Sequence, residues 1–84
     1  MKTKITRVHV KADALVVMTG TMGRSLHPAS ALGVAVPWDD QAAMFSLIGE
    51  TVMTGSFLVG SAGSCDLVIG RGDILSWETY EQDL

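Results

Sequence analysis

The chain has 84 residues and a formal net charge of −3 at pH 7. This length allows one domain, residues 1–84, with one core. Its lone cysteine, Cys65, excludes an intrachain disulfide, so the fold does not require an oxidising compartment. Charged residues are only 18% of the chain, against about 25% in a typical domain. We therefore expect exposed apolar surface and, with it, a protein partner or self-association. The alternative is a surface of Ser, Thr, Gly and Ala.

The charges are divided unevenly along the chain. Residues 1–24 contain five bases and one acid, a balance of +4, and residues 25–84 contain one base and eight acids, a balance of −7. A basic strip for nucleic acid is one interpretation. An acidic protein with five bases near one end is, however, a poor electrostatic match for a polyanion. We expect instead that the N-terminal strand lies beside the acidic C-terminal segment and that nucleic acid is not the partner.

The N-terminal sequence does not predict a secretion signal. Charged residues interrupt the apolar positions after Lys4 and leave an apolar run only at residues 14–18. No segment approaches the ~20 apolar residues of a membrane span. We therefore expect a soluble, cytoplasmic protein.

The first half of the chain predicts short strands separated by turns. Alternating and β-branched residues favour strands, and Gly and Pro favour the breaks between them. The predicted elements are a hairpin of residues 4–10 and 15–18 around a turn at 11–14, a loop over 19–30, and a buried strand over 31–36 that Pro37 ends.

A helix is predicted over residues 39–48. Asp39 is a suitable N-cap residue, and Met44, Phe45 and Ile48 give an apolar stripe at helical spacing. The last four residues of the segment also suit a strand, so a strand over the same residues is the alternative.

After the predicted helix, glycine-separated runs indicate an antiparallel meander. The tail from Asp73 predicts either a last strand or a short helix that Ser76 caps. We therefore predict a mainly-β α+β fold, a small antiparallel sheet or partly open barrel with one short helix near residues 39–48, and an all-β meander is the alternative. The predicted strands are residues 51–54, 56–59 and 65–69, with a hairpin loop at 60–64.

The sequence contains no arrangement typical of a catalytic, metal or cofactor site. Cys65, His9 and His27 have no recognised spacing for a nucleophile–base pair or a metal site. The Gly-Ser-Ala-Gly-Ser run at 60–64 lacks the ending of a phosphate-binding loop. We therefore expect a structural thiol at Cys65 and no enzymatic activity, metal or cofactor.

The best candidates for function are residues that suit contact with a protein. Tryptophans are enriched at interface hot spots, and methionine gives adaptable apolar contact. We expect a non-enzymatic protein-binding module, such as a phage or mobile-element accessory or inhibitor protein that occupies a partner surface. The alternatives are a homo-oligomeric virion or shell component and a small-ligand binder that uses residues 60–64 and Cys65. The candidate partner-binding residues are Met22, Arg24, Trp38, Trp77, Glu78, Glu81 and Asp83.

Overall fold

Strands dominate residues 1–83, which a computed structural model of the protein describes. The fold is mainly β with one short α-helix in this part of the chain, and its two antiparallel sheets do not close into a barrel. This confirms the predicted fold class. The elements are β1 (Lys2–Lys11), β2 (Leu15–Gly20), β3 (Gly23–Pro28), α1 (Ala29–Leu32), β4 (Val34–Val36), β5 (Asp39–Ile48), β6 (Val52–Thr54), β7 (Phe57–Ala62), β8 (Cys65–Gly70), a 3-10 turn (Arg71–Asp73) and β9 (Ile74–Asp83).

The strands are divided between a four-stranded and a five-stranded sheet. Their orders are β4-β5-β1-β9 and β3-β2-β8-β7-β6. Strands β1 and β2 therefore lie in different sheets, and the predicted hairpin of residues 4–18 is wrong. The ladder of β1 is already filled on both sides by β5 and β9, so the turn after Lys11 carries the chain across to the other sheet.

The segment predicted as a helix, residues 39–48, is strand β5. It lies between β1 and β4, and Ala43 and Phe45 on its inner face are buried at the two-residue spacing of a strand. The Asp39 carboxylate does accept the backbone N–H of Gln41, at 3.0 Å, but this bond forms where a strand begins. Hydrogen bonding to two neighbouring strands and burial of one face outweigh the weak local preference for a helix.

Two predicted loops are largely strand. Residues 19–30 form the end of β2, all of β3 and the start of α1, with a tight turn closed by Gly23 at φ +102°. Residues 60–64 belong mostly to β7, and the turn there is confined to positions 63–64. Only the second half of the predicted strand at 31–36 is extended, because α1 occupies its first two positions. The runs predicted at 51–54, 56–59 and 65–69 correspond to β6, β7 and β8.

The core lies between the two sheets. Gly60 of β7 marks a close approach, since a Cβ atom there would lie 2.8 Å from Cδ1 of the fully buried Leu47 on β5. A side chain at position 60 would therefore require the buried Leu47 side chain, or the sheets themselves, to shift. The buried apolar cluster consists of Val8, Val10, Ala14, Val16, Ala29, Ala43, Phe45, Leu47, Leu58, Leu67 and Ile69.

Candidate partner-binding surface

The seven candidate residues lie in three places on the molecule. Met22 and Arg24 lie at the tip of the β2–β3 hairpin, and Trp38 lies in the turn between β4 and β5. The other four, Trp77 and the acids 78, 81 and 83, all lie on β9. The largest group of candidates is therefore carried by a single strand.

Strand β9 pairs with β1 and forms an edge of the four-stranded sheet. The prediction that the basic N-terminal strand lies beside the acidic C-terminal segment is confirmed. Individual bases and acids of the two strands also lie directly opposite one another. Opposite charges directly across an antiparallel pair favour that register. The register places Lys2 opposite Asp83, Lys4 opposite Glu81, and Arg7 opposite Glu78.

Arg7 makes the closest polar contacts between the two strands. Its Nη1 lies 3.7 Å from Oε1 of Glu78, and its Nη2 donates a hydrogen bond of 3.2 Å to the hydroxyl of Tyr80. The guanidinium carbon also lies 5.6 Å from the centre of the Tyr80 ring. The Nε atom is buried without a hydrogen-bond partner in the described part of the chain, which offsets part of this gain. These contacts are compatible with the observed register of β9, and exposed ion pairs of this kind add little to stability.

The acids of β9 differ in how far they are neutralised. Within residues 1–83, Glu78 is the one acid of β9 with a basic nitrogen closer than 4 Å. Glu81 and Asp83 face lysines across the strand pair, but no ion pair closes there in the described structure. The carboxylates in the C-terminal half of β9 are therefore not neutralised by an ion pair in the described structure.

The free side of β9 differs from the other sheet edges. Strands β4 and β6 have three residues each, and β3 ends at Pro28 and runs into α1. Short edges, proline and charged side chains are the usual means by which proteins prevent further strand pairing. Strand β9 has ten residues and no proline, and its outward backbone groups have no partner strand in the described residues. Its protection against strand addition consists of its acids and of a register irregularity at Leu75, where β9 has one residue more than β1.

Trp77 adds an apolar contact to this edge. It lies opposite the fully buried Val8, on the face of the sheet that points toward the core. Its side chain is nevertheless 48% exposed, so the five-stranded sheet leaves this part of β9 uncovered. The exposed surface of β9 thus carries an indole near its beginning and carboxylates toward its end.

Trp38 lies close to the beginning of β9 but on the other face of the sheet. It is 77% exposed, and its ring centre lies 6.4 Å from that of His9. An open groove of about 260 Å³ is lined by both of these rings together with Leu75 and Ser76 of β9. The structure therefore places one candidate from a distant turn beside the edge strand.

Met22 and Arg24 belong to the five-stranded sheet instead. Met22 is almost fully exposed in the hairpin turn, and both residues line an open groove of about 250 Å³ with Met18 and Cys65. Cys65 itself is half-buried. In the described structure, no strand of this hairpin pairs with the four-stranded sheet that contains β9.

One surface feature, which we call the apolar row, was not predicted from the sequence. It crosses the outer face of the five-stranded sheet, and each member lies directly opposite the next on the neighbouring strand. The signal for it was the occurrence of adjacent apolar pairs such as Val16-Val17 and Leu67-Val68, which place apolar side chains on both faces of a strand. The strand order and register of the folded sheet bring these outer apolar side chains next to one another. The apolar row consists of Val52, Val59, Val68, Val17 and Leu26.

No helix in the described part of the chain is long and apolar enough to cross a membrane. Among residues 1–83, no group of three or more His, Cys, Asp or Glu side chains is arranged to hold a metal ion. Comparison of the chain with protein-family models, with curated protein sequences and with solved structures found no match.

Proposed function

We propose that the protein is a non-enzymatic protein-binding module and that the free edge of β9 accepts an extended, basic segment of its partner. The observation that carries the proposal is a ten-residue edge strand with unpaired backbone groups, three carboxylates and no basic side chain. An accessory or inhibitor protein of a phage or mobile element, acting by occupying a segment of its partner, fits this description.

The backbone of β9 supplies the general affinity of this interaction. An extended peptide that adds to a sheet edge forms main-chain hydrogen bonds along its length, and its alternate side chains give specificity. Antiparallel addition is slightly more stable per residue than parallel addition. The bound segment would then run from the acidic end of β9 toward Trp77.

The side chains of β9 define which segment fits. Glu81 and Asp83 favour Lys or Arg in the first half of an antiparallel segment, because within residues 1–83 neither carboxylate forms an ion pair with the lysine that faces it. Trp77 favours apolar residues in the second half, where its exposed indole loses contact with water. The expected ligand therefore has basic residues first and apolar β-branched residues after them.

A pair of synthetic peptides tests this directionality. The first is a ten-residue peptide with alternating Lys and Thr followed by alternating Val and Thr, and the second has the same residues in reversed order. Binding is measured by isothermal titration calorimetry and by tryptophan fluorescence in a Trp38→Phe background, so that the signal reports Trp77. We expect the forward peptide to bind at least several-fold more tightly than the reversed peptide.

Matched charge variants locate the site. The variant E81Q/D83N is expected to weaken binding about tenfold, as removal of favourable charge pairs at an interface does. The control D13N/E50Q changes the net charge of the protein by the same amount, and neither residue lies on β9; it is expected to bind like the unmodified protein. Equal loss in both variants, or no binding of the forward peptide at about 1 mM, would overturn the proposal.

A further inference from the structure

The apolar row is an unpartnered apolar face of the five-stranded sheet. Its two end members, Val52 and Leu26, are 53% and 57% exposed, and the three valines between them are half-buried by their neighbours. Two further exposed apolar residues of this sheet, Leu15 and Phe57, lie on the same face, each two positions along its strand from a member of the row. Such a contiguous patch is typical of a surface that another protein covers.

The charges on this face argue for a particular occupant. In the described strands of the sheet, the outer face carries one base, Arg24, and one acid, Asp66, and the acid accepts a hydrogen bond of 2.8 Å from Ser61. The whole chain carries −3, so two copies repel one another in general. The outer face is where two copies approach without a net charge on either side.

We propose that this face binds the same face of a second copy of the chain, about a two-fold axis that runs along the apolar row. A two-fold interface places the same patch on both sides and must be self-complementary. A rotation about the row places the row on itself and each strand over the same strand of the partner. All five apolar side chains are then buried together.

The position of Asp66 favours this axis over one that runs along β8. Asp66 and Gly70 flank Val68 on strand β8, two positions away on either side. A two-fold axis along the row places Asp66 opposite the partner's Gly70, where no side chain interferes. A two-fold axis along β8 would instead place Asp66 against the partner's Asp66, and like charges facing each other at an interface are unfavourable.

The size of the face sets the expected strength. Five strands about 4.8 Å apart and three rows of side chains about 7 Å apart give a flat area of roughly 24 by 20 Å, or about 480 Å². A stable interface covers about 800 Å² per partner. We therefore expect a weak dimer that dissociates on dilution. The inference is independent of the peptide-binding proposal, because β9 belongs to the other sheet.

Sedimentation equilibrium between about 10 µM and 1 mM tests the dimer. The unmodified protein is expected to shift from monomer to dimer across this range, and Leu26→Lys is expected to weaken association at least tenfold. Val17→Thr, which keeps the shape of the side chain, is expected to weaken it less. Ile48→Lys introduces the same charge at an exposed position on the other sheet and is expected to leave association unchanged.

Cross-linking tests the axis. Two packed sheets lie about 10 Å apart, so a thiol at position 68, on the axis, faces its own copy at that distance. A short bis-maleimide is therefore expected to link C65S/V68C dimers readily. Position 19 lies off the axis, next to the row, and C65S/T19C is expected to link much less.

Three results would each overturn the proposed dimer: a monomer at 1 mM, a dimer that Ile48→Lys weakens as much as Leu26→Lys, or equal cross-linking from positions 19 and 68. The peptide-binding proposal can be tested separately. The variant E81Q/D83N is expected to dimerise normally, and Leu26→Lys is expected to bind the basic peptide normally. Failure of one proposal therefore does not resemble failure of the other.

Discussion

Arg7 and Glu78 lie directly opposite each other on β1 and β9, with 3.7 Å between Nη1 and Oε1. They form one of three register positions at which a base of the N-terminal strand faces an acid of the C-terminal strand. The uneven charge distribution of the sequence thus has a structural counterpart, because bases of β1 and acids of β9 lie directly opposite one another across the strand pair. It also leaves an acidic strand at the edge of the sheet.

Replacing Arg7 by Gln is expected to loosen β9 locally. The side chain contributes an ion pair worth about 0–1 kcal/mol and a cation–π contact worth about 0.5–1 kcal/mol at an exposed site, and the buried Nε offsets part of this. We therefore expect a loss of about 1 kcal/mol or less in the free energy of unfolding, with faster hydrogen exchange of the β9 amides. Arg71→Gln, in the turn before β9, is the control, and it is expected to change the free energy of unfolding by no more than about 0.5 kcal/mol. Unchanged exchange in β9 of Arg7→Gln would show that this side chain does not hold the register.

Gly60→Ala is expected to destabilise the protein by about 1–3 kcal/mol, the usual cost of overpacking a core. The added methyl group would lie 2.8 Å from Cδ1 of Leu47, which is fully buried and has little room to move. Gly72→Ala is the matched control, because its methyl group meets no atom within 4 Å and its φ is not in the left-handed region. Urea denaturation of both variants measures the difference. Equal stability of the two variants would contradict the close approach of the sheets at position 60.

Trp38 and Phe45 are expected to respond very differently to replacement by alanine. Phe45 is a core residue with 5% exposure, and its removal is expected to cost about 3–5 kcal/mol. Trp38 is 77% exposed, so Trp38→Ala is expected to change the free energy of unfolding by less than about 1 kcal/mol. Thermal or urea denaturation checks both values. A large loss in Trp38→Ala would show that the tryptophan supports the fold and is not free for a partner.

The sequence was informative where a local pattern decides the structure. Alternation and glycine placement predicted β6, β7 and β8, and the charge distribution predicted that β9 lies beside β1. It misled for residues 39–48, where a capping aspartate and helical spacing describe a strand whose pairing with β1 and β4 comes from distant parts of the chain.

The candidate site, like the fold, could be predicted only in part from the sequence. Trp77 and the acids of β9 were found from residue type and position, but their place on a free edge depends on strand order. The apolar row was not predicted, because its five members come from five strands and only their register aligns them. Strand order and register are set by long-range contacts that single-sequence periodicity does not contain.

The proposed function requires that β9 accept a basic extended segment at its free edge. The most direct test is hydrogen exchange, followed by NMR, of the protein with and without the forward Lys–Thr/Val–Thr peptide. Alternate amides of β9, those that do not bond to β1, are expected to become protected when the peptide is present, and the amides of the five-stranded sheet are expected to remain as before. Protection confined to another surface, or none in β9 at saturating peptide, would contradict the claim.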